Sequence, residues 1–321
     1  MNPTSDEAPD SLSPIADDEA ADLLTAAELS ELDRLRRHLA LRTASDGQGS
    51  RASRRRGQSP EFVDHRGYAP GDDLRRLDWN VLARSDQTVI KRFRAEEEAA
   101  VRVLLDLSTS MLVGGAGGPS KLSLARRVAA AVAYVALADG ERAQIGSLSA
   151  RGVDLGTPKR GRGQFGSLRQ RLQRLRADAA GEGTPFAPDA AMAEVLKRCG
   201  RAGVLVIVTD ALTPTGDVDA WPRAVHRARA SGHDVRFVQV LAPEDLDPPW
   251  DGDLQLIDAE SGAAVDVTFD ADARAAYAER LEALVGGLRE GCRRSKAVYV
   301  RARSDEAVVP VVRRMAGGGI D

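Results

Sequence analysis

The chain has 321 residues, 43% hydrophobic and 29% charged, with a formal net charge of −3 and a pI near 5.9. That balance supports a folded core in one large domain or two ordinary ones. It disfavours a globally basic nucleic-acid binder. Two cysteines, Cys199 and Cys292, exclude a disulfide scaffold and a cysteine-based zinc cluster. The histidines His38, His65, His226 and His233 are scattered and give no pair at metal-ligand spacing.

The first 22 residues carry seven acidic side chains and no Lys or Arg, punctuated by Pro3, Pro9 and Pro14. Such a segment buries little and is expected to be disordered. It does not read as a secretory signal, being acidic rather than basic and then apolar. Thr25 followed by Glu28 forms a capping-box pattern. Leu29, Leu32, Leu35, Leu39 and Leu41 then predict an amphipathic helix over 25–43. Gly47 to Gly57 is a polar linker holding Arg51, Arg54, Arg55 and Arg56, read as a solvated loop, with a contact for an acidic partner or phosphate as the alternative. From Val101 on, strand and helix patterns alternate. Strands are expected at 101–105, 144–149, 153–155, 204–209, 234–241 and 297–300. Helices are expected at 123–138, 165–175, 188–199, 219–230, 270–289 and 306–315. That order implies an α/β fold with a doubly wound, mainly parallel sheet. The expected organisation is an acidic tail over 1–24, a helix and loop segment over 25–99, and the α/β domain over 100–316. The longest apolar run, Ala129 to Ala138, falls short of the roughly 20 residues that a membrane-crossing helix needs. A cytoplasmic protein without a membrane span is therefore expected.

In doubly wound sheets ligands sit beyond the carboxyl ends of the strands, and two expected strands end in carboxylates there. The first runs into Asp106-Leu107-Ser108-Thr109-Ser110, which offers a carboxylate and two hydroxyls on a tight turn. The second, Val204 to Thr209, runs into Asp210. Between them, Gly181-Glu182-Gly183-Thr184-Pro185 places a hydroxyl just before a helix. Two carboxylates and three hydroxyls suit a small hard cation such as magnesium or manganese.

The D-x-S-x-S string with the later Thr and Asp resembles the metal-ion-dependent adhesion site of von Willebrand factor type A domains, over about residues 100–315. The resemblance implies that Ser108 and Ser110 ligate directly and Thr184 directly or through water. It implies that Asp106 and Asp210 act mostly through water or hydrogen bonds behind the ligands. A second string lies upstream: Ser59-Pro60-Glu61-Phe62, Arg66-Gly67-Tyr68-Ala69-Pro70-Gly71-Asp72-Asp73, Arg75-Arg76-Leu77-Asp78-Trp79, and Lys91-Arg92-Phe93. It resembles the bacterial domain-of-unknown-function family 58, in which it directly precedes a type A domain. That family implies a MoxR-type AAA+ ATPase as partner. The Pro-Gly-Asp-Asp block reads as a brace on the first strand, with Trp79 and Phe93 as anchors to the core; a binding surface is the alternative.

Other chemistry is weaker. Ser108 and Ser110 have no histidine pattern to act as base. The run Pro158 to Gly163 lacks the Gly-Lys-Ser/Thr of a P-loop and reads as a basic surface loop. The sequence therefore points to a non-enzymatic, metal-dependent module that binds an acidic residue of a partner, expected to be a MoxR-type ATPase or its client. A magnesium-assisted hydrolase and a metal-free scaffold are the alternatives.

Overall fold

The computed structural model describes residues 23–36, 62–69, 77–85, 87–93, 99–114, 118–179, 186–212, 216–258 and 262–317. The acidic tail, the Arg54–Arg56 linker, the Pro70–Asp73 block and Thr184 lie outside them. Two compact units are present, residues 1–44 with 99–321, and residues 45–98.

In the larger unit, α1 (Ala26–Leu35) starts on the expected capping box: Glu28 N–H donates to Thr25 Oγ1, and Thr25 N–H to Glu28 Oε2. Leu32 is fully buried, so this helix belongs with the sheet and not with the segment up to residue 99. In the smaller unit, β1 (Phe62–Gly67) pairs antiparallel with β2 (Val89–Phe93), on either side of α2 (Trp79–Ser85). Asp78 caps α2 by accepting from Asn80 N–H, and its own N–H donates to Val89 O. Leu77 and Ile90 are the buried pair here, whereas Trp79 is 63% exposed. Trp79 therefore does not take the anchoring role expected of it, and Leu77 is the buried residue beside it.

The remaining elements follow in chain order: β3 (Ala100–Asp106), α3 (Lys121–Ala138), β4 (Arg142–Ser149), β5 (Gly152–Leu155), β6 (Lys159–Arg160), α4 (Phe165–Arg174), α5 (Pro188–Arg198), β7 (Val204–Thr209), α6 (Ala220–Ala230), β8 (Asp234–Leu241), α7 (Pro243–Leu246), β9 (Gly252–Ile257), β10 (Ala264–Phe269), α8 (Ala271–Arg294), β11 (Val298–Arg303) and α9 (Val308–Ala316). The fold is α/β. The main sheet runs β11-β8-β7-β3-β4-β5, with β6 also on β4. Its strands β11, β8, β7, β3 and β4 are parallel, and β5 and β6 are antiparallel to β4.

Alternation along the central strands fills both faces. Val101, Val103 and Leu105 of β3, with Val204, Val206 and Val208 of β7, pack on one side with α3, α4, α9 and α1. Leu104, Leu205 and Ile207 pack on the other with α5, α6 and α8. Both faces are dry, so the strands read as continuous apolar runs rather than half-polar ones. Removing one such side chain, as in Ile207→Ala, would cost about 2–5 kcal/mol.

Several bounds shift: the helix expected over 25–43 stops at Leu35 with Arg36 as its cap, α8 runs on to Arg294, and β11 to Arg303. Helix α3 begins at Lys121, two residues early, because Ser120 Oγ accepts from Ser123 N–H as the cap. The β9–β10 hairpin carries the period-two pattern of a strand pair, Leu254 and Leu256 against Val267 and Val265. The sequence reading passed over it because it lies outside the strand–helix alternation. It stands apart as its own two-stranded sheet with mostly exposed residues.

Candidate metal centre

The chain leaves β3 toward β4 on one side and returns through β7 on the other, so the direction of winding reverses between β3 and β7. The carboxyl ends of those adjacent parallel strands form the crevice in which such folds bind ligands. Asp106 closes β3, and Asp210 follows β7 directly. Both are buried.

After Asp106 the chain turns at once. Ser108 N–H donates to Asp106 Oδ1 at 2.8 Å, and a short 3-10 turn over Thr109–Leu112 follows. This places Ser108 Oγ 3.1 Å from Ser110 Oγ. After Asp210 the turn is sharper, because Ala211 adopts φ 60, a left-handed conformation that costs a non-glycine residue about 1 kcal/mol. It lets Leu212 N–H reach Asp210 Oδ1 at 3.0 Å, while Ala211 N–H reaches Thr209 Oγ1 at 2.9 Å. Thr209 Oγ1 in turn donates to Asp106 Oδ2 at 2.6 Å, bridging the two strand ends.

Sequence reasoning missed three residues of this cluster. Lys121, 1% exposed, donates from Nζ to Asp210 Oδ2 at 2.7 Å and lies 3.2 Å from Asp245 Oδ2. Thr209 is the bridge just described. The signal for Lys121 was a lysine at the first position of a helix, where the dipole disfavours a cation. Burial alone would push this ammonium down, but the Asp210 and Asp245 carboxylates overrule it and raise it. Asp106 moves the other way from a normal carboxyl. Burial, then the charge of Asp210, push it up to about 7 against the bonds from Thr209 and Ser108 that favour its ionised form. Among the described residues the cluster thus holds three carboxyls against one ammonium.

A magnesium ion fits this donor set. Its neighbouring oxygen ligands, each 2.0–2.1 Å from the ion, lie about 3 Å apart, the separation of the two serine hydroxyls. Among the described residues no three His, Cys, Asp or Glu side chains gather at ligating distance. A cation here would therefore rest on the hydroxyls with few charged ligands. Of the expected donors, Asp106, Ser108, Ser110 and Asp210 come together, and Thr184 lies outside the described residues.

The remaining candidates are placed elsewhere. Cys199 and Cys292 are buried and in no disulfide, and burial pushes the Cys292 thiol up to about 12. The Pro158–Gly163 run forms β6 and a short 3-10 turn at the sheet edge.

Residues 64–284 match the family described as protein of unknown function DUF58. The uncharacterized protein Rv1480 of Mycobacterium tuberculosis is 34% identical over 235 residues, 70% of this chain and 70% of that one. Among solved structures, the chain is similar to the conserved hypothetical protein BatB from Bacteroides thetaiotaomicron. That match has 15% identity and a TM-score of 0.43, over 69% of this chain and 97% of the other. An aerotolerance-related membrane protein from Bacteroides fragilis matches at 18% identity and a TM-score of 0.41, over 68% and 98%. The expected cytoplasmic location is withdrawn: the aerotolerance-related neighbour is described as a membrane protein. That no helix among the described residues is long and apolar enough to cross a membrane does not restore it. The family match over more than half of the sequence, with a relative above 30% identity, establishes that this chain belongs to the DUF58 family.

Proposed function

We propose that the chain is a cation-dependent protein-interaction module with no reaction of its own. The observation that carries this reading is the Ser108–Ser110 hydroxyl pair, 3.1 Å apart beside two buried carboxylates on adjacent strand ends. Magnesium or manganese is the ion of choice, on the donor chemistry and on the resemblance of these residues to a von Willebrand factor type A adhesion site. Ser108 and Ser110 would hold the ion, with Thr184 as the further donor the resemblance implies. Asp106 and Asp210 would supply charge from behind. When bound, the ion supplies an electrophilic position that can take a carboxylate from outside. A partner presenting an acidic residue follows, and the family resemblance suggests a MoxR-type AAA+ ATPase or its client.

A hydrolase would need a base next to the ion. Asp106 is shifted enough to be considered, but both its oxygens are engaged, by Ser108 N–H and Thr209 Oγ1. His233 lies before β8, at the opposite end of the sheet. No observation favours the hydrolase.

Titration calorimetry tests the proposal. One saturable magnesium or manganese site is expected, weakened at least tenfold, about 1.4 kcal/mol, by Ser108→Ala with Ser110→Ala. Capture of an acidic partner should need the ion. Absence of saturable binding in the wild type overturns the reading, as does metal-dependent turnover of an ester or phosphoester that Asp210→Ala removes.

A further inference from the structure

The chain separates its charges along the sequence. Between Arg142 and Arg176 it carries nine Lys and Arg and a single acidic residue, Asp154, while Met1 to Asp22 carries seven acidic residues and no basic one. The larger unit places the ends of these two segments together. Helix α4 starts at Phe165, whose ring meets that of Tyr134 late in α3, and is capped at its end by Leu175, whose carbonyl accepts from Arg126 Nη2 early in α3. The neighbouring residue Arg127 donates from Nε to Leu23 O at 3.3 Å and from Nη2 to Glu28 Oε1. Adjacent arginines of one helix thus hold the end of the basic helix and the residue at which the acidic segment enters the fold. Leu23 and Leu24 are buried there, so this entry point is fixed to the core.

Around it the arginines are exposed: Arg162 before α4, Arg169 and Arg174 on it, and Arg176 just beyond. Arg162 already pairs with Asp33, an acidic residue of the N-terminal helix, at 3.0 Å. Single exposed ion pairs contribute little, roughly 0–1 kcal/mol. A tethered segment meets its surface at an effective concentration in the mM range, so several weak pairs suffice. Reach is not limiting: 22 extended residues span up to about 70 Å, against about 15 Å for the ten residues of α4. No exposed aromatic side chain is interleaved with these arginines, so a single-stranded nucleic acid would find no stacking platform.

We propose that the acidic segment Met1–Asp22 docks on the arginine surface of α4 within its own chain and covers it against other polyanions. The proposal does not depend on the cation site. A spin label on Ser11→Cys in the full chain tests it, since Cys199 and Cys292 are buried and resist labelling. In about 50 mM salt the label should broaden the backbone amide signals of residues 165–176, and the loss should fade in about 1 M salt, where screening is within 3 Å. Replacing Arg169, Arg174 and Arg176 by Gln should abolish it. Neutralising Asp17, Asp18, Glu19 and Asp22 should do the same while leaving the folded part unchanged. Absence of broadening overturns the proposal. So does broadening that survives either set of replacements, or broadening centred on Ser108–Ser110. Broadening seen only between a labelled and an unlabelled copy also overturns it, by showing an intermolecular contact.

Discussion

The two ends of the central sheet are both charged and both buried, yet they solve the problem differently. At the amino end the charges are positive. Arg102 of β3 donates from Nε to Gln144 Oε1 at 3.0 Å and from Nη1 to Arg201 O at 3.1 Å. Arg236 of β8 donates to Met315 O and to Asp234 Oδ2. His233 beside them is pushed down to about 4, by burial and then by Arg102. At the carboxyl end, four residues further along the same β3, the charges are negative, and Asp106 is pushed up to about 7. Each end therefore holds a group driven toward its neutral form by burial and a like charge. The difference lies in the partners. Arg102 rests on neutral amide and carbonyl oxygens, and Arg236 on a carbonyl and the single Asp234 carboxylate, whereas the carboxyl end, among the described residues, sets three carboxyls against one ammonium and holds two hydroxyls side by side. A perturbed group is thus found at both ends, and only the carboxyl end sets it beside a pair of hydroxyls.

The sharpest way to break this comparison is to remove one cation at each end. Lys121→Met leaves the buried Asp210 and the half-buried Asp245 without their counter-ion and should cost about 3–5 kcal/mol. Arg102→Met leaves only neutral acceptors and should cost about 1–3 kcal/mol. Denaturant midpoints at neutral pH measure both. Magnesium should restore part of the loss in Lys121→Met and give Arg102→Met no more than it gives the wild type. Equal losses without magnesium, or equal recoveries with it, would erase the distinction.

The two titrating groups should pull the stability in opposite directions. The folded pKa of Asp106 lies above its ordinary 3.8. Between about pH 4 and 7 the folded state therefore holds the extra proton, and stability is lost as pH rises through that window. The loss amounts to about 4 kcal/mol at most. Asp106→Asn should flatten this fall, because Thr209 Oγ1 can accept from the amide in place of donating. Saturating magnesium should protect the wild type more at pH 8 than at pH 5. A variant whose profile still falls would place the proton elsewhere.

The smallest effect is expected from His233. Its folded pKa lies below its ordinary 6.5. As pH drops from about 6.5 toward 4 the unfolded state takes up the proton first, and stability is lost by at most about 3 kcal/mol. His233→Gln should remove that slope, leave the opposite one from Asp106 exposed, and keep the wild type's response to magnesium. A magnesium-sensitive profile in His233→Gln that differs from the wild type would tie the two ends together.

Much of the frame was readable from the chain, because its signals are local. Thr25 and Glu28 are three residues apart, and the run Val204–Thr209 announces a strand buried on both faces. Asp106, Ser108 and Ser110 form one turn, so their convergence followed from their spacing. Asp210 could be placed beside them once its strand was expected to lie in the same parallel sheet.

What the sequence by itself determined was the alternation of strand and helix, the caps, and a hydroxyl-rich turn at a strand end, all set by neighbours within a few residues. The tertiary structure alone decided that β7 lies next to β3, which places the winding reversal at these carboxylates. It also decided that Lys121 meets Asp210, 89 residues away, and that Thr209 bridges to Asp106, 103 residues away. It brought the end of α4 and the entry of the acidic segment to neighbouring arginines of α3. Such pairings depend on which strands share a register and which helix ends share an edge. Backbone propensity and hydrophobic period carry no information on either, because the same local pattern is compatible with several strand orders.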